Sequence, residues 1–284
     1  MSLKKTAANT VIYAFLAAVL VLTVFPVFYT VSASFMTNAE IMAGTDRLFP
    51  RSPTLENYIT AWNSEGFDVR RLLLNSLYYT FFCVLFGVCT SSVCGYVFER
   101  GDFRGKKIAF GALSMTMFFQ MAGGVTLYPV FKILNAIHLS KSLGGLIFLK
   151  LFGVNIINVY LVRSYVRMLP KEMDEAAEID GCNFITIFTK IILPLLKPII
   201  ATILILAFQS SWNDYLMPTI FTISNPESRT LIVAITALKN TGEAASAWNL
   251  MFAGSVIAII PVLLAYAFAN RYFVEGITQG AVKG

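Results

Sequence analysis

The stretch EAAEIDGCNFITIFTKIILP, from Glu175 to Pro194, decides how this chain is read. Acids and alanines crowd its first six residues, a glycine follows, and an apolar repeat then sets in. Just upstream, Pro170 suits the first turn of a helix, where a missing N–H costs nothing. Glu172, Asp174 and Glu175 would sit near the positive end of that helix's dipole. Ala176 and Ala177 are strong helix formers, and their small side chains admit another surface at close range. Asp180-Gly181 is a stop signal, because glycine takes the left-handed cap conformation freely. Phe184, Ile187, Phe188, Ile191 and Ile192 then recur at i, i+3, i+4, i+7 and i+8, the apolar stripe of a second helix. Pro194 and Pro198 are expected to end it and start the next segment. The expectation is a helix–turn–helix with an acidic, small-residue first helix. From the residues alone it reads equally as a structured connector and as a docking element, since loops both join and act.

Its surroundings are apolar enough to cross a bilayer. Of 284 residues, 57% are hydrophobic and 13% charged, with mean hydropathy +0.69; soluble domains carry about 25% charged residues. Six stretches approach or exceed the roughly 20 residues a bilayer requires: Val11–Ala33, Leu72–Phe98, Ile108–Phe131, Leu143–Val166, Pro198–Ile223 and Trp248–Asn270. The first is too long for the apolar region of a signal peptide, about 7–15 residues, so it reads as a retained span. Six spans put both termini on one side. With the termini inside, inner segments hold 13 lysines and arginines and outer loops 8, which makes the termini and the Glu175–Pro194 stretch cytoplasmic. That bias accounts for the net charge of +6; no compact basic run or aromatic–basic patch suggests nucleic acid.

Cys83, Cys89 and Cys94 share one span and Cys182 lies in the inner segment, without CxxC or His/Cys ligand spacing, so neither a disulfide nor a metal site is expected. His138 stands alone in an outer loop and reads as solvated. A nucleotide-binding P-loop needs G-x-x-x-x-G-K-[ST]; Gly101–Lys107 has the wrong spacing and no hydroxyl. No catalytic residue is assigned, and any ATP hydrolysis belongs to another chain.

Glu175-Ala176-Ala177, then Gly181, then Ile191-x-Leu193-Pro194 resembles the EAA loop of ABC importer permeases at each of its fixed positions. LFPRSPTLENY (Leu48–Tyr58), WNDYLMP (Trp212–Pro218) and RYFVEGITQGAVKG (Arg271–Gly284) resemble the first outer loop, the fifth-span motif and the C-terminal tail of carbohydrate-uptake permeases, with the smaller six-span maltose-type subunit the nearest pattern. The resemblance implies an all-α membrane protein with six transmembrane helices, the type I ABC importer permease fold and cytoplasmic termini. Residues 1–70 would form the first span and outer loop, 71–270 the permease core with its coupling loop at 167–197, and 271–284 the tail. It further implies sugar or oligosaccharide import across the plasma (inner) membrane of a prokaryote. The partners would be a second permease subunit, two cytoplasmic ATPase subunits and an extracytoplasmic solute-binding protein. ATP and Mg would be bound by the ATPase, with no cofactor on this chain. Glu175, Ala176, Ala177, Asp180 and Gly181 would form the coupling helix in a cleft of the ATPase, and Gln279 and Gly280 would reach the ATPase dimer interface. An ion-coupled secondary transporter and an importer of a non-sugar solute are the alternatives.

The translocation path is sought among Gln209, Ser211, Trp212, Asn213, Asp214 and Tyr215, a polar–aromatic patch inside a span whose groups must face the bundle or a watery cavity. Helix-to-helix hydrogen bonding is the other use for such groups. Lys150 lies about 12 Å inside its span and Asp214 about 24 Å along its own at 1.5 Å per residue, so in a core of roughly 30 Å their depths differ by about 6 Å. An ion pair is favoured; a Lys150 facing an acidic sugar, or snorkelling to the surface, are the other readings. Leu231–Leu238 is apolar but too short to span, and reads as re-entrant or surface-packed.

Overall fold

A computed structural model describes residues 2–44, 48–64, 67–121, 123–240 and 247–281. Among them the ordered elements are all helical. The helices are α1 (Ser2–Ala33), α2 (Asn38–Met42), α3 (Glu56–Asn63), α4 (Val69–Arg100), α5 (Lys106–Met121), α6 (Leu127–Ala136), α7 (Leu143–Phe152) and α8 (Ile156–Met168). There follow α9 (Glu172–Ile179), α10 (Phe184–Ile187), α11 (Leu193–Leu195), α12 (Lys197–Trp212), α13 (Leu216–Thr222), α14 (Leu231–Asn240) and α15 (Trp248–Ala281).

Four segments of the described residues are long and apolar enough to cross a membrane: Asn9–Ala33, Val69–Arg100, Leu143–Met168 and Trp248–Phe268. Counting Phe184–Leu195 together with Lys197–Trp212, a pair bent by 79°, makes five. Three expected spans are not continuous helices. Ile108–Phe131 divides into α5, a 3-10 turn at Gly123–Thr126 and α6; Leu143–Val166 breaks between α7 and α8; Pro198–Ile223 breaks between α12 and α13. Gly153 and the polar run Ser210–Asp214 sit at or beside two of these breaks, where backbone groups leave the helical ladder.

Contacts divide the chain into two units, residues 1–70 with 234–260, and 71–233 with 261–284. In the first, Thr37 and Glu40 form a capping box at α2. The buried Asn57 amide donates to the carbonyls of Ser34 and Met36, both at 2.8 Å, and its Oδ1 accepts from Asn249 at 2.8 Å. Asn57 thereby ties the end of α1 to α3 and α15.

The second unit is built on α4 and α8. Gly95 lets them approach so closely that a Cβ there would fall 2.5 Å from the Val162 side chain. A buried cluster of Val88, Tyr96, Val162, Val166, Ile187 and Ile203 joins α4, α8, α10 and α12. On the opposite half, Tyr79, Leu134, Leu146 and Phe221 join α4, α6, α7 and α13. The Leu231–Leu238 run is helical within α14, whose Leu231 and Val233 are buried in this unit. Its first N–H is accepted by Ser76 Oγ at 2.8 Å.

His138 does more than meet solvent. It takes φ +59° at the end of α6, where the N–H of Leu139 reaches the carbonyl of Leu134 and that of His138 the carbonyl of Asn135. This is a Schellman cap with histidine in the place glycine usually holds.

Candidate functional site

Two arrangements stand out, one at the Glu175–Pro194 stretch and one among the broken spans. In the first, α9 carries Glu172, Asp174 and Glu175 in its first turn and has no side-chain N-cap, so these acids meet the dipole's positive end. It ends as the sequence predicts. Gly181 has φ +83°, its N–H reaches the carbonyl of Glu178, and the N–H of Cys182 reaches that of Ala177. A Cβ at Gly181 would meet nothing within 4 Å, so the requirement is conformational and not steric. Asn183 then caps α10, its Oδ1 accepting from the N–H of Thr186 at 2.9 Å.

The alanines part company. Ala176 is exposed with Glu172, Glu175, Glu178 and Asp180, whereas Ala177 is 5% exposed and belongs to the buried cluster under α9. Ala177 therefore allows α9 to approach the bundle, while Ala176 lies on the open face. Ile179, 86% exposed, adds an apolar group to that face.

Asp174 points inward and pairs with Arg100 at the end of α4, at 2.7 Å. Arg100 also donates to the carbonyl of Leu169 at 2.6 Å. Burial raises the Asp174 carboxyl above its ordinary range, Arg100 opposes the rise, and Glu178 and Glu175 add to it. Beside this latch, Glu99 accepts from Arg163 at 2.8 Å and from Arg167 at 2.9 and 3.1 Å. Neither contact has a local signature, because the partners lie on α4 and on α8 or α9.

The second helix docks through the expected stripe. Ile187 and Ile192 are buried, and Phe184 and Phe188 lie against the Tyr96 ring with centroids at 4.6 and 5.0 Å. Pro194 does not end it. The helix widens into a π turn over Phe188–Ile192 and continues through Leu195, with the 79° bend following at Leu196. The wider turn absorbs the proline: the N–H of Leu193 bonds to the carbonyl of Phe188, and Pro194 offers no N–H to miss.

The second arrangement is a cavity of about 450 Å³ in the second unit. Of the expected path residues, Ser211, Asp214 and Lys150 line it; Gln209, Trp212, Asn213 and Tyr215 do not. Trp212 is buried and stacks on Phe208, centroids 5.6 Å apart, a packing role. Asn213 donates its side-chain amide to the carbonyl of Gln209 in its own helix. The cavity is completed by residues the sequence reading passed over, among them Tyr79, Gly87, Asn155 and Asn158. Tyr79 donates to Asp214 Oδ2 at 2.7 Å across 135 positions of sequence, beyond the reach of any local pattern.

Lys150 and Asp214 share this cavity without forming the favoured ion pair: the described pairs within 4.0 Å are Arg71–Glu227, Arg100–Asp174, Arg163–Glu99 and Arg167–Glu99. The Tyr79 hydroxyl takes the place assigned to the lysine. Among the described residues no group of three His, Cys, Asp or Glu side chains is placed to hold a metal ion. Gln279 and Gly280 lie in the last turns of α15, but their side chains, and the whole of residues 282–284, fall outside the described residues.

Known proteins are similar to this chain in sequence and in fold. Residues 87–279 match the family model "Binding-protein-dependent transport system inner membrane component". The arabinooligosaccharides transport system permease protein AraQ of Halalkalibacterium halodurans is 32% identical over 97% of this chain and 95% of its own length. The galactooligosaccharides transport system permease protein GanQ of Bacillus subtilis is 30% identical over 96% and 94%. A chain from the crystal structure of a bacterial ABC transporter involved in import of the acidic polysaccharide alginate superposes with a TM-score of 0.81 over 96% of this chain and 99% of that one, at 24% identity, a likeness of fold. The matched two thirds of the chain, the full-length relatives and the shared fold together make this chain a member of the binding-protein-dependent transport system inner membrane components.

Proposed function

We propose that this chain is the permease subunit of an ATP-driven importer carrying a sugar or oligosaccharide into a prokaryotic cell. It would cross the plasma membrane six times, with both termini and α9 in the cytoplasm. A second permease, two ATPase subunits that bind ATP and Mg, and an external solute-binding protein would complete the complex. The observation that carries the reading is the form of α9. Its open face gathers Glu172, Glu175, Ala176, Glu178 and Ile179, and its closed face is latched to α4 by Asp174 and Arg100. An acidic helix with a bare isoleucine, fixed at a glycine-capped turn, suits docking by a basic cleft, and the latch to α4 offers a route into the bundle for that partner's motion. The Gln279–Gly280 tail would add a second contact with the ATPase. The sugar cargo is supported by the oligosaccharide permeases to which the chain is similar.

The test is uptake into proteoliposomes holding the assembled complex and its loaded binding protein. ATP on the α9 side should drive uptake, which should survive collapse of proton and sodium gradients. Uptake that ignores ATP and stops with an ionophore would instead identify an ion-coupled transporter.

A further inference from the structure

The cavity has three properties that together specify a ligand. First, it lies at two of the three helix breaks. Gly153, Val154 and Asn155, between α7 and α8, and Asp214, between α12 and α13, all line it. Backbone that leaves the helix at membrane depth persists only where protein or a watery cavity satisfies it, and broken helices of this kind frame the binding sites of other transporters.

Second, its polar groups come from separate helices and converge. Tyr79 comes from α4, Lys150 from α7, Asn158 from α8, and Ser210 and Ser211 from α12. Asn155 Oδ1 is already committed to capping α8, accepting from the N–H groups of Ile157 and Asn158. Leu146, Leu149, Leu206 and Met217 supply an apolar wall suited to the C–H face of a pyranose. The volume falls within the roughly 300–1,000 Å³ of small-molecule sites.

Third, the charges balance. Lys150 and Asp214 are the charged residues of the lining, one of each sign, and no direct pair joins them. An anion drawn to Lys150 would share the cavity with the Asp214 carboxylate. A neutral polyol meets no such repulsion, since its hydroxyls accept from the ammonium and donate to the carboxylate at once.

We propose that this chain itself contacts the cargo in this cavity, and that the group held there is an uncharged sugar unit spanning Lys150 and Asp214. The ligand class rests on the importer reading above; the site does not. Gly87 provides the probe, because it lines the cavity and a Cβ there would meet nothing within 4 Å.

The experiment measures uptake by the assembled complex, with its binding protein, of arabinotriose, galactotriose and maltotriose, beside trigalacturonate as the acidic counterpart. Wild type should take up a neutral trisaccharide and not trigalacturonate. Gly87→Phe should abolish that uptake and Gly87→Ala retain it. Lys150→Met and Asp214→Asn should each lower it about tenfold or more, the loss of a hydrogen bond to a charged group. Gln209→Ala, on α12 beside the cavity residue Ser210 but outside the lining, should stay near wild type. To guard against misassembly, Ser210→Cys is assembled first and then alkylated with a bulky maleimide; its uptake should fall relative to identically treated wild type. Wild-type rates in Gly87→Phe, both charge variants and alkylated Ser210→Cys would overturn the site while leaving sugar import standing. Preferred uptake of trigalacturonate, lost selectively in Lys150→Met, would overturn the neutral ligand. A wild-type complex that takes none of the four sugars would overturn the sugar reading itself, and the ligand with it.

Discussion

Gly181 and His138 occupy the same backbone position at the ends of two helices, the left-handed residue of a Schellman cap, with φ +83° and +59°. Only one has the side chain that the position favours. For L-residues that conformation costs about 1–2 kcal/mol, and open space around Gly181 means that the whole cost of Gly181→Ala is conformational. Two opposite outcomes are therefore expected in melting of the purified complex. Gly181→Ala should destabilise the α9–α10 turn by about 1 kcal/mol, and His138→Gly should stabilise the end of α6 by a similar amount. Equal and same-signed shifts would contradict the cap geometry. Gly181 was legible because Asp-Gly after an acidic helix is a stop signal. His138 was not, because nothing in its neighbours marks a histidine that must take a glycine's conformation.

Between elements, the decisive contacts join helices far apart in sequence. Arg100 and Asp174 are 6% and 13% exposed, so removing either partner leaves a mostly buried charge. Arg100→Met or Asp174→Leu alone should cost about 3–5 kcal/mol, and the double replacement should recover most of it. Additive losses in that double-mutant cycle would mean that the pair does not hold α9 to α4. The burial of Asp174, which Arg100 only partly offsets, also predicts a pH dependence. Because burial raises the folded-state pKa of Asp174, the folded protein holds that proton more tightly than the unfolded chain, so its contribution to stability falls as pH rises through the raised value. Wild type relative to Asp174→Asn should therefore gain stability on acidification, down to the ordinary value near 3.8. At Gly95 the contact is steric: Gly95→Ala would press a methyl to 2.5 Å from Val162, forcing α4 and α8 apart at a cost of about 1–3 kcal/mol.

At the scale of the whole molecule, topology is the property most open to direct test. The importer reading places Gly101–Phe103, the Gly181 turn and the C-terminal tail inside the cell, and Ser52, His138 and Ser228 outside. Reporter fusions that fluoresce only in the cytoplasm should light at the first three positions, and alkaline phosphatase should be active only at the last three. Phosphatase activity at the Gly181 turn would remove α9 from any cytoplasmic partner. The first span enters the same picture: none of the apolar window in Asn9–Ala33 is buried within this chain. On the importer reading that surface meets lipid and the second permease.

What the sequence determined by itself is local and compositional. Apolar runs of about 20 residues and more, without the alternation of a barrel strand, require membrane-spanning helices, whose backbone groups are satisfied within the segment. The spacing of Glu175, Ala177, Gly181 and the Phe184–Ile192 stripe likewise determines a capped helix and a docked partner, because caps and stripes are written within a few turns of chain. Tertiary structure decided what depends on which distant residues meet. It turned Ala177 inward and left Ala176 out, gave Asp174 to Arg100, and gave Asp214 to Tyr79 in place of Lys150. It also broke spans that hydropathy reads as continuous. Hydropathy averages over a window and so cannot register a few residues of open backbone. Whether such a break is tolerated depends on polar groups from other helices, brought to one cavity only when the chain is folded.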